Sequence, residues 1–206
     1  MKKLFILIVA ALLAAPAASF AQKTTVTRVN RERTYKTHTR NVDIWYEGEL
    51  NIGYGTGGTL KADGESGDAK YTRPFIETVH GVRITPYAFA GLGVGFQYAY
   101  DKEWEIGMMP VFIDLKGYYP VTEHFAPYVA IDLGFSSGLA GTKNFMDEEG
   151  LDLSGGFYAS YGIGLNYRRL NFGFGWQHQG MKFKYDGESS EGFSVNSFFV
   201  KIGLKF

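Results

Sequence analysis

Cysteine is absent from the 206 residues, and proline occurs only six times. Without a thiol the chain forms no disulfide and no thiolate metal site, and an export leader cannot end in a lipid-modified cysteine. Long hydrophobic runs are missing too. The apolar run at residues 4 to 15 is shorter than the ~20 residues of a spanning helix, and no later segment approaches that length, which excludes a helical membrane protein. Histidine is scarce, at four residues. By contrast, glycine is high at 27 and aromatics reach 17%, a composition that favours many strands joined by tight turns.

Lys2 and Lys3, the apolar run behind them and Ser19-Phe20-Ala21 read as a cleavable signal peptide over residues 1–21. Residues 22–41 carry Lys23, Arg28, Arg31, Arg33, Lys36 and Arg40 against Glu32, a net +5, and read as a basic, flexible extension. The remainder, 42–206, holds thirteen basic and twenty acidic residues, a net −7. It is expected to form one domain.

That domain alternates with a period of two. At the C-terminal end Phe198, Val200, Ile202, Leu204 and Phe206 are apolar, with Phe199, Lys201, Gly203 and Lys205 between them. The same alternation predicts eight strands, near 44–55, 71–84, 87–98, 109–119, 128–136, 157–168, 170–179 and 198–206, of which the second is the least regular. An even count places both termini on one side. Links 2–3, 4–5 and 6–7 are brief, whereas 56–70, 99–106, 137–156 and 180–193 are long, which is the outer-membrane pattern of short periplasmic turns and longer outer loops. The expected fold is therefore all-β, an eight-stranded antiparallel up-and-down transmembrane barrel. A soluble lipocalin-like barrel with the apolar face around a ligand is the alternative. A Gly/Ser/Asn-rich polar face suits a narrow lumen better than a solvated exterior. Aromatics also gather toward strand ends, with Tyr54, Tyr98, Trp104 and Trp176 at the loop side and Tyr119, Tyr128 and Tyr167 at the turn side.

The segments Tyr87-Ala-Phe-Ala-Gly-Leu-Gly-Val-Gly, Pro110-Val-Phe-Ile-Asp-Leu-Lys and Pro127-Tyr-Val-Ala-Ile-Asp-Leu-Gly, with the Phe206 terminus, resemble the small outer-membrane barrels of the OmpA/OmpX kind, as common in Bacteroidota. The resemblance spans 42–206. It implies residence in the cell outer membrane with periplasmic termini, contact with outer-membrane lipid and lipopolysaccharide, and handling by periplasmic chaperones and the barrel-assembly machinery. Phe198, Val200, Ile202, Leu204 and Phe206 would be the assembly signal. It implies no shared reaction, ligand or cofactor.

The polar phase assigns Glu47, Glu49, Glu77, Arg83, Asp114, Lys116, Asp132, Arg168, Lys201 and Lys205 to the interior. An eight-stranded lumen is just wide enough for its own side chains, so these charges are expected to pair as a plug; a gated pore would need the pairs to exchange. A lipid A-modifying enzyme would need a nucleophile beside a histidine at the membrane surface. His38 and His124 fall on the periplasmic side, no serine stands two residues from His178, and Ser136, Ser137 and Ser154 reach it only by folding. No catalytic residue or cofactor is assigned. Asp147, Glu148, Glu149 and Asp152 in the longest link are weak candidates for a hard divalent cation, because the spacing is not that of a calcium loop. Counted over 56–69, 99–105, 136–156 and 179–193, the four long links total −8 and read as solvated acidic loops. Nucleic acid is excluded as a partner of an exported barrel, and the loop partner is left open. The most economical function is a non-enzymatic membrane-anchored scaffold or surface-interaction module acting through its outer loops.

Overall fold

The computed structural model describes residues 44–62, 65–100, 105–141, 151–185 and 192–206. The signal peptide and basic extension expected at 1–21 and 22–41, together with Trp104, Asp147, Glu148 and Glu149, lie outside the described residues. Among the described residues nine strands follow one another: β1 (Trp45–Ala62), β2 (Glu65–Thr85), β3 (Ala88–Tyr100), β4 (Glu105–Tyr118), β5 (Phe125–Gly141), β6 (Leu151–Ser154), β7 (Gly156–Tyr167), β8 (Leu170–Tyr185) and β9 (Gly192–Lys205).

Eight of them close a barrel. Every neighbouring pair is antiparallel, and β9 returns to β1 in a ladder from Glu49↔Lys205 to Ala62↔Phe193. Phe206 prolongs the seam by exchanging both backbone hydrogen bonds with Gly48, at 2.8 and 2.9 Å. Closure removes the unpaired edges that an open sheet would expose. The short β6 prolongs the β7 position beyond Gly155, pairing with the far end of β8 at Leu151↔Tyr185 through Ser154↔Lys182.

The polarity of the wall is inverted relative to a soluble protein. Leu92, Ile113, Val129, Ile131, Leu133, Ile163, Phe174 and Leu204 face outward and are exposed, whereas Glu49, Asp114, Lys116 and Asp132 are buried. This orientation removes the lipocalin-like alternative, since the apolar phase of each strand lies outside and the charges lie within. Val94 and Met109 share the outward phase yet are covered.

One end of the barrel is tightly turned, at Pro86-Tyr87, residues 119–124 and Arg168-Arg169. The other end departs from expectation. The link read as a loop over 56–70 is strand on both sides of 63–64, and β5 and β8 likewise run on to Gly141 and Tyr185. Gly57 and Gly58 take positive φ, 56° and 158°, at a bulge where the β1 register shifts by one residue, and pairing with β2 resumes at Gly58↔Ala69 past the apolar band. Strand β2 is more regular than its sequence suggested. It pairs with β1 from Glu65 to Arg83 apart from the bulge, whereas the ladder to β3 lapses at Arg73-Pro74, where proline has no N–H to donate.

Candidate functional site

The lumen is where charged chemistry converges. At the turn end, the Glu47 carboxylate accepts from Arg83 at 2.9 Å and Lys205 at 2.8 Å, and the Arg83 guanidinium lies 3.7 Å from the Tyr118 ring centroid. One residue pair further in, Lys116 Nζ lies 2.6 Å from Glu49 and 2.7 Å from Asp114. Asn171 donates to the same Glu49 oxygen, Oε2, at 3.0 Å and accepts from the Tyr128 hydroxyl at 2.5 Å. Next come Lys201 and Asn51, donating to Glu77 at 2.7 and 3.2 Å. Period-two alternation on β1, β2, β4 and β9 delivers these side chains to one interior, and the closing ladder brings β9 lysines beside β1 and β2 carboxylates. In such confinement an unpaired charge is costly, so pairing is the condition for placing it there.

Nine of the ten expected interior charges are therefore in the lumen. Arg168 is not: it occupies the exposed two-residue turn between β7 and β8, because the strand ends at Tyr167. Tyr128, assigned to an interfacial girdle, instead points inward and is buried. Asp132 is fully enclosed opposite Asp114 in the β4–β5 register and accepts from Ser160 Oγ at 2.5 Å.

Beyond this network an aromatic layer of Phe75, Phe112, Tyr158 and Phe199 fills the bore. The inward glycines make room for it: a Cβ on Gly53 would stand 2.2 Å from the Phe75 ring and one on Gly93 2.3 Å from Phe112. Toward the loop end Gln177 donates to Gln97 and Gln179 at 2.9 and 3.1 Å, and Gln179 donates to Ser136 at 2.8 Å. Tyr71, Ala99, Ile106, Met108, Met181 and Val195 cap this level as an apolar cluster.

Arg73 lies between the aromatic layer and the cap, only 1% exposed, with Nε and Nη2 lacking hydrogen-bond partners among the described residues. Sequence reasoning missed it, although Arg73, Glu77 and Arg83 share one parity along β2; Pro74 made the segment look irregular. Also missed was a polar clasp on the outer wall. Thr78 Oγ1 donates to the Glu49 carbonyl at 3.1 Å, so His80 Nε2 must donate to that hydroxyl at 3.0 Å and Nδ1 must accept from Tyr46 at 2.6 Å. A hydroxyl that receives the imidazole proton is not activated by it, so this trio is a structural brace.

The remaining candidates separate. His178 faces outward and pairs with Asn196 at 2.8 Å, whereas Ser136 is buried in the lumen on the opposite side of the wall. Asp152 sits in β6. Among the described residues there is no group of three side chains able to hold a metal ion.

No family model matches the chain, and no curated protein matches it. Several solved structures are similar to it. The outer membrane protein OprG from Pseudomonas aeruginosa is 11% identical, with 78% of this chain and 95% of that chain covered and a TM-score of 0.48. The outer membrane enzyme PagL is 12% identical over 74% and 97% of the two chains, with a TM-score of 0.48. The outer membrane protein AlkL, solved in lipid bilayers, is 12% identical over 86% and 97%, with a TM-score of 0.48. At this identity and TM-score the likeness carries no inference about chemistry, and the fold rests on the strand pairing of the chain itself.

Proposed function

We propose that this eight-stranded barrel spans the bacterial outer membrane as a sealed, non-enzymatic anchor that presents its elongated outer hairpins to partners outside. The observation that carries it is the inverted wall. A band of exposed Ile, Leu, Val and Phe encircles an interior in which Glu47, Glu49, Glu77 and Asp114 each meet a cation within 2.9 Å. In water such a surface would be an aggregation liability, and in lipid it is the required exterior, with all strand edges paired by closure. Lipid and lipopolysaccharide cover the wall, the short turns face the periplasm, and the assembly machinery receives the β9 terminus with Phe206.

Sealing follows from the layered lumen. Ion pairs, the Phe75/Phe112/Tyr158/Phe199 layer and the apolar cap lie in series, so an ion would have to displace packed rings as well as exchange partners. The role of the outer hairpins follows from what remains when the lumen is closed: specificity falls to the segments that project.

The test is gel mobility of the detergent-extracted outer-membrane fraction, heated and unheated, followed by planar-bilayer recording on the same preparation. A heat-shifted band without steady conductance is expected. Recovery in the soluble periplasmic fraction would overturn the membrane placement, and well-resolved channels would replace the sealed anchor with a pore.

A further inference from the structure

Among the described residues Arg168 alone is a non-glycine with positive φ, 54°. At the first position of a two-residue hairpin turn, glycine or asparagine adopts this conformation with less strain. The backbone has a reason for it: the Arg168 N–H donates to the His124 carbonyl at 2.8 Å, and the Lys205 N–H donates to the Arg169 carbonyl at 2.7 Å, tying the turn to its neighbours on both sides. A glycine would make the same bonds. The backbone therefore explains the turn but not the arginine.

The side chains lead elsewhere. Tyr167 is on the outward phase, and the Arg168 guanidinium lies 5.8 Å from its ring centroid, on the lipid side of the turn rather than over the lumen. Arg169 is exposed beside it, and neither arginine enters an ion pair among the described residues. Exposed Tyr87, Tyr119, Tyr167 and Leu170 mark this level as the edge of the apolar band. Two unpaired guanidinium groups at the edge of that band stand at headgroup height, where a planar fork matches phosphate oxygens.

We propose that Arg168 and Arg169 dock the headgroup phosphate of an anionic phospholipid in the leaflet at the turn end. The inference rests on the membrane placement proposed above and adds a lipid site to it. The docked lipid offsets the strained turn and gives the barrel a preferred neighbour in that leaflet.

The full chain, folded in zwitterionic detergent, is titrated with phosphatidylglycerol, phosphatidylcholine or inorganic phosphate and followed by native mass spectrometry. The wild type should prefer phosphatidylglycerol. Arg168→Asn, which keeps a residue tolerant of this φ, should weaken that binding about fivefold, and Arg168→Asn with Arg169→Ser about thirtyfold, from ~1 kcal/mol per basic residue at a charged surface. In lipid-free detergent the Arg168→Asn melting temperature should equal or exceed that of the wild type. Equal binding of the two lipids, a variant within twofold of wild type, or competition by inorganic phosphate at matched concentration would overturn the site. A wild type without a heat-shifted band in phosphatidylcholine vesicles would overturn the membrane placement itself, separately from the lipid preference.

Discussion

At the turn end of the lumen four cations, Arg83, Lys116, Lys201 and Lys205, meet carboxylates within 2.9 Å. At the loop end Arg73 lies near Tyr71 and Tyr158, with two guanidinium nitrogens unpartnered among the described residues. Both regions line the same bore and are equally buried, so burial alone does not say whether a charge stabilises the barrel. The partner does. In the turn-end network removing Lys116 or Lys201 strands the carboxylate it meets, while removing Arg73 breaks no ion pair among the described residues.

The largest effect that would break this comparison is Lys116→Met. It leaves Glu49 and Asp114 without their shared cation and should lower unfolding stability by ~3–5 kcal/mol, measured by urea unfolding in lipid vesicles. Adding Glu49→Gln and Asp114→Asn to it should recover much of the loss; an undiminished deficit would mean that packing, not charge, holds this level. Next in size, Ile163→Arg on the lipid side should cost ~2–4 kcal/mol in the same assay near the midplane. Gly164 is no clean inward control, since a Cβ there would meet the Phe172 carbonyl at 2.3 Å. A cost near zero at Ile163 would count against lipid on that face.

Arg73→Met carries the opposite sign. Replacing a buried cation that makes no ion pair among the described residues by a side chain of similar length should raise unfolding stability by ~1–2 kcal/mol. A loss comparable to that of Lys116→Met would show that Arg73 has a partner and that the two ends obey one rule. The smallest expected change in stability belongs to Phe206→Ala. Its ring covers Gly48, where a Cβ would stand 2.4 Å from Cε2, and its edge meets His80 with centroids 6.0 Å apart. Folded protein should lose about 1 kcal/mol, while the amount inserted in cells falls and export continues. Unchanged barrel levels would remove Phe206 from the assembly signal.

Alternation along the chain was enough to find the barrel strands and to assign Glu47, Glu49, Asp114 and Lys116 to one face, because a strand places successive side chains on opposite sides whatever surrounds it. The same rule sent Ile113, Ile131 and Ile163 to the other face, where they are exposed. It failed where local cues misled. Pro74 made β2 look broken, although only one of its two ladders lapses there, and the polar stretch at 56–70 looked like loop although pairing carries β1 to Ala62. Arg168 was counted inward because the end of β7 at Tyr167 depends on where β8 begins to pair.

Strand identity and facing were thus decided by the sequence, since both are local properties of a backbone with a period of two. How far the outer hairpins extend and which lysine meets which carboxylate were decided only by the tertiary structure. Lys201 reaches Glu77 across 124 positions of chain, and Lys116 reaches Glu49 across 67. Such partnerships follow from closure and from the register between neighbouring strands, and no window of sequence contains either.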